Sequence, residues 1–197
     1  MTEPAKGETY RGEDWYGEEM LARAFVTCVF DDIDLTEAVT QGCEFTECSF
    51  SGVRLNASRH TDSAFLRCTF TRCKLFEAEF TGCKLIGSTF RECELRPLRI
   101  SGGDWSFVTL AEADLSGITV EGARMREVDL GGARCEQAVL RDVDLSGAQL
   151  RGVRLAGADL RGSDLSAFDL RTVPMPGAII TAEQAVVLAQ STGLVIG

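Results

Sequence analysis

A chain of 197 residues with 45% apolar and only 8% aromatic side chains carries enough hydrophobic material for one cored domain. Its formal net charge of −10, from 20 basic and 30 acidic residues, repels nucleic acid and anionic lipid and attracts basic surfaces, which argues against direct DNA or membrane binding. No apolar run approaches the ~18 residues of a membrane span, and the opening stretch MTEPAKGETYRGEDWYGEEM is polar and acidic where a signal peptide is basic and then apolar, so a cytoplasmic location is expected.

Residues 1–9 read as an N-terminal tail. From Tyr10 onward every fifth residue is large and apolar with few exceptions: Trp15, Met20, Phe25, Phe30 and Leu35 open the series, and leucine holds it from Leu140 to Leu170. Two places earlier in each unit the residue is slim: Cys28, Cys43, Cys48, Cys68, Cys73, Cys83 and Cys93, then Ala113, Ala123, Val128 and Ala133. Cysteines that alternate with Ala, Ser and Val on one sublattice are expected to be small core spacers, reduced and slow to react, rather than a disulfide framework. Two inward positions in every five match neither the 3.6 period of a helix nor the alternation of a strand. Such a repeat indicates a solenoid over 10–172, each unit burying its face by stacking on the next.

The units ADLRG (158–162), VDLSG (143–147), ADLSG (113–117) and CEFTE (43–47) resemble the pentapeptide repeat family. The resemblance implies an all-β fold, a right-handed quadrilateral β-helix with four pentapeptides per coil and a short C-terminal capping helix. Residues 20 apart then lie in columns: Phe30, Phe50, Phe70 and Phe90, continued by Leu110, Leu130, Leu150 and Leu170, form one, and Phe25, Phe45 and Phe65 another. Glycines such as Gly52, Gly82 and Gly147 fall at the corners. Thr40 and His60 interrupt one column beneath Phe80, and a satisfied or outward-turned histidine with a local distortion of that face is expected. Pro97 reads as a stiffened corner, and Trp105 as packing between the Phe-rich and Leu-rich halves of the core.

The segment 173–197 departs from the pattern. Thr181 reads as the N-cap of a short helix with Gln184 completing a capping box, followed by an apolar strand from Leu194 to Ile196. Because an open coil end must be covered, Val186, Leu188, Leu194 and Ile196 are expected to form a two-fold dimer contact.

Catalysis finds no footing: there is no phosphate loop, no metal cluster and no nucleophile beside a base, so no enzyme activity, metal or cofactor is expected. Within the family the stretches CEFTECSFSGVRL, SAFLRCTF, ECELRPL and TAEQAVVLAQSTGL are most similar to the mycobacterial fluoroquinolone-resistance member, a relative of the plasmid-borne ones. That resemblance implies a dimeric, DNA-like acidic rod that binds DNA gyrase, modulates it and protects it from quinolones. Unlike the plasmid-borne members, this chain throws out no loops between coils. Eight coils at ~4.8 Å give a rod of ~38 Å, and the acids nominated for its partner-binding face are Asp104, Asp114, Asp129, Asp144, Asp159, Asp164 and Asp169. Asp144, Asp164 and Asp169 do not point inward by the repeat, so reversing these three together to Lys is expected to spare the fold. A passive scaffold protein with an unrelated partner is the alternative.

Overall fold

The computed structural model describes residues 3–196. The five-residue period becomes one side of a four-sided parallel β-solenoid, and each level pairs with the next at a register of 20: Phe25 lies against Phe45, Phe30 against Phe50 and His60 against Phe80. The first face carries the strands Ala5–Lys6, Ala24–Val26, Glu44–Thr46 and Ala64–Leu66. The second runs from Thr9–Arg11 to Thr89–Arg91 and the fourth from Glu19–Leu21 to Val139–Arg141. The third face, from Asp14 through Arg54 to Glu94 and on from Asp114 to Arg154, is joined by single parallel bridges.

The outer limits differ from those read in the sequence. Ala5 already pairs with Phe25, so the first coil starts inside the stretch read as a tail. At the other end Ile179 donates to the carbonyl of Ala158 and Gly157 to that of Pro176, so the stacking continues to residue 180 rather than stopping at 172. Leu170 leaves its column and is 40% exposed, because Phe168, a bulky residue at a slim position, fills the interior instead. In the first coil the slim positions hold Glu8, Glu13 and Glu18, which are exposed. There Tyr10 and Trp15 donate from their rings to Glu8 and Glu13.

Inside, the phenylalanine columns stack face to face at centroid spacings of 4.7 Å for Phe30 on Phe50, Phe45 on Phe65 and Phe50 on Phe70. Each such pair adds about 0.5–1.5 kcal/mol beyond the area it buries. Trp105 ends the aromatic half, edge-on to Phe80 and parallel to Phe90, as its position between the two halves implied. Corners take positive φ whether or not they hold glycine: Gly52 has φ 64, and Asp32, Glu37 and Arg67 also lie between 51 and 58. Gly103 is a position only glycine fits, since a Cβ there would meet the carbonyl oxygen of Cys83 at 2.1 Å. Pro97 takes its corner with a cis peptide.

The cysteines are free, and all but Cys93 are fully buried. They are more than spacers. The thiols of Cys48, Cys68 and Cys73 donate to the main-chain carbonyls of Phe25, Phe45 and Phe50, one level down, at 3.3–3.4 Å. Ser88 and Ser163 do the same for Phe65 and Leu140. At alanine positions such as Ala38, Ala78 and Ala133 the residue's own amide closes the corner by bonding to the carbonyl three residues back. Cysteine and serine thus supply a donor to a carbonyl one level down, which alanine cannot do.

His60 is inward and buried, not turned out. Its Nδ1 lies 2.8 Å from the Thr40 hydroxyl and its Nε2 3.0 Å from the Ser58 hydroxyl, which donates to the carbonyl of Leu55. The ring stacks on Phe80 at 4.6 Å, so the column continues without distortion. The network closes with a neutral imidazole carrying its proton on Nε2. Burial pushes its pKa down to about 3 from an ordinary 6.5, so the unfolded chain binds the extra proton first. Stability is therefore full above pH 6.5 and is lost as pH falls toward 3. Denaturant unfolding at about pH 6.5 and about pH 4.5, compared between wild type and His60→Phe, separates the chain's single histidine from the carboxylates: across that interval the wild type should lose about 2–3 kcal/mol more than the variant. Equal slopes would place the titrating group elsewhere.

Candidate partner-binding surface

Outward side chains decide what this rod presents, and the aspartates of the DLS and DLR units come first. Each stands at the start of a side and accepts from the backbone amide two residues on: Asp104 from Ser106 at 3.0 Å, Asp144 from Ser146 at 3.1 Å, Asp164 from Ser166 at 2.8 Å and Asp129 from Gly131 at 2.9 Å. In Asp104, Asp114 and Asp144 the same oxygen also takes the serine hydroxyl. The recurrent aspartate is thus a turn-forming acceptor.

Most of the seven nominated acids are also held by cations. Asp104 pairs with Arg124 at 3.2 Å, Asp114 with Arg96 and Arg134, Asp144 with Arg126 at 3.7 Å and Asp169 with Arg171 at 2.9 Å. Asp159 lies between Arg141 and Arg161, its side chain only 9% exposed, and bonds from Arg161 and then Arg141 hold its carboxyl far below the usual carboxylate range. The Ser146 hydroxyl lowers Asp144, and the Arg171 guanidinium lowers Asp169. Asp129 and Asp164 have no ion pair among the described residues.

Nor do the seven share a face. Asp104 and Asp144 lie on the first face with Arg124 between them, and Asp164 continues the column by bonding to Val143. Asp129 and Asp169 belong to the second face, Asp114 to the third and Asp159 to the fourth. A step of fifteen residues is three sides of a square, which scatters acids that look adjacent in the sequence. Among the described residues the carboxylates of the C-terminal half that form no ion pair are instead Glu112, Glu121, Glu127, Asp129, Asp142, Asp164 and, on the capping helix, Glu183. Glu127, Asp129 and Glu112 border the second face.

The tail forms the predicted helix, Ala182–Ser191, with the Thr181 and Gln184 capping box complete. The Gln184 side chain also donates to the carbonyls of Leu160 and Ser163, pinning the helix over the last coils. Leu188 is 3% exposed and packs into its own chain, so it is not part of an outer contact. The strand expected at Leu194 to Ile196 does not form; Leu194, Val195 and Ile196 are exposed, as are Val186, Val187 and Ile179. Among the described residues no helix is long and apolar enough to cross a membrane, and no cluster of metal-ligating side chains occurs.

A family profile described as a pentapeptide repeat region matches residues 43–120, and one described as pentapeptide repeats (8 copies) matches 121–155 and 129–167. The chain is a pentapeptide repeat protein. No curated protein matches it by sequence. Among solved structures this pentapeptide repeat protein is similar to a trypsin-treated variant of QnrB1, a plasmid-mediated fluoroquinolone resistance protein, with a TM-score of 0.92 and 21% identity over 98% of this chain and 97% of that one. A second trypsin-treated variant gives 0.88 at 21% identity, covering 98% and 99%. Full-length QnrB1 gives 0.62 at 20% identity, covering 98% and 100%. These likenesses are of fold.

Because Asp144 is a turn acceptor as well as a charge, its substitutions should separate. Asp144→Asn keeps the acceptor and should unfold within about 0.5 kcal/mol of wild type, whereas Asp144→Lys loses it and should cost about 1 kcal/mol or more. Chemical denaturation checks this, and equal costs would show that the bond to Ser146 contributes nothing.

Proposed function

We propose that this protein binds DNA gyrase through its acidic surface, as a rod standing in for the DNA segment, and thereby modulates the enzyme and its susceptibility to fluoroquinolones. The observation that carries the reading is the set of carboxylates that form no ion pair among the described residues along an unbroken rod, with Glu112, Glu127 and Asp129 bordering one face. The fold it shares with QnrB1 supports the same assignment. The paired aspartates Asp104, Asp114, Asp144, Asp159 and Asp169 position side chains on the rod, and the binding charge resides in the unpaired ones. A second copy is the proposed partner for the exposed tail, with Val186, Val187, Leu194 and Ile196 in place of the buried Leu188; the assembly is then a longer rod with the two N-terminal tips outward.

Two experiments test these readings. Binding to purified gyrase should weaken steeply with salt, as at any site that normally receives phosphates. The combined variant Glu112→Gln, Glu127→Gln and Asp129→Asn, which preserves the amide acceptor at 129, should lower affinity about tenfold at low salt and flatten the salt dependence. A rod that leaves gyrase supercoiling and its quinolone inhibition untouched would be a passive scaffold. Separately, Leu194→Asp with Ile196→Asp should sediment as a monomer where the wild type is a dimer; an unchanged dimer would move the interface away from the tail.

A further inference from the structure

Among the described residues sixteen non-glycine positions take the positive-φ corner, and fifteen hold alanine or a polar or charged side chain. The sixteenth is Phe107, at φ 60 and 54% exposed. A bulky side chain in this region costs about 1–2 kcal/mol of backbone strain, and burial offsets little of it here because more than half of the residue is open to solvent. The backbone beneath it is rigid. Trp105, two residues earlier, is wedged between Phe80 and Phe90, Asp104 holds the Ser106 amide, and the Phe107 amide donates to the carbonyl of Arg126 at 2.9 Å.

The surroundings define what such a ring fits. Phe107 stands on the corner between the first and second faces, with Gly87 one level below it and Glu127 one level above in the same column. Asp129 lies two residues beyond Glu127 on the second face, and Glu112 stands at that face's far corner. These three carboxylates have no cation partner among the described residues, so the ring projects from an anionic border.

We propose that Phe107 is the apolar anchor of the partner-binding edge, inserting into a hydrophobic pocket on a positively charged protein surface. This inference rests on the reading that the partner is gyrase, and it adds what a DNA segment lacks: an aromatic tooth that contributes affinity independent of salt. A preformed aromatic on a rigid backbone loses little freedom on docking and is the residue type that dominates protein interfaces.

Phe107→Gly separates the anchor from a structural role, because glycine suits the corner. Its melting temperature should be unchanged or higher than wild type, while affinity for gyrase falls at least about tenfold, equally at low and high salt. Phe107→Met should recover part of that loss. The carboxylate variant should instead change the salt slope. Binding by Phe107→Gly within about twofold of wild type would overturn the anchor, as would a loss of affinity that tracks a fall in melting temperature. Wild-type protein that fails to bind gyrase would overturn the gyrase reading itself and this assignment with it.

Discussion

The backbone hydrogen bond between successive levels is the constraint on which everything else depends. A corner amide such as that of Gly52 donates to the carbonyl nineteen residues later, Thr71, at 2.9 Å, while Arg54 donates back to Ile33 at 3.0 Å. Keeping both bonds at every level fixes four sides of five residues. It forces the corner into a left-handed conformation and leaves two side chains per unit pointing inward. Core identity, corner identity and surface columns are then consequences of the same ladder. A substitution is felt chiefly by the residues twenty above and twenty below it, as expected of a solenoid.

This explains which parts of the molecule were legible. The core columns, the slim positions, the capping helix and the corner glycines follow from counting in fives and twenties, and residues such as Phe50, Cys48 and Gly52 stand where that count puts them. Hydrogen-bond partners were not legible. The donor role of Cys68 depends on a carbonyl 23 residues away whose own turn bond is missing, and nothing in the letter C distinguishes that from an inert spacer. His60 was readable as a break in a column, but its satisfaction depends on Thr40 one level down and Ser58 beside it.

The surface was read less well than the core for a related reason. Counting in twenties places Asp104, Arg124 and Asp144 in one outward column, but not that Arg124 is the counter-ion of Asp104. Grouping Asp114 and Asp159 with them ignored the three-side step that places them on other faces. Phe107 was missed because the period marks it only as a corner; the signal was the residue type at a position otherwise held by glycine, alanine or polar residues.

The charged first coil has a consequence for how copies of this chain meet. A parallel solenoid is self-complementary, and two bare ends could stack head to tail into a filament that never closes. Glu8, Glu13 and Glu18 occupy the places where an added level would set its core, so carboxylates would have to be stripped of water to extend the ladder there. With one tip blocked in this way, association through the opposite tip has no second site from which to propagate. The repeat that makes the fold so regular therefore need not make it a fibre.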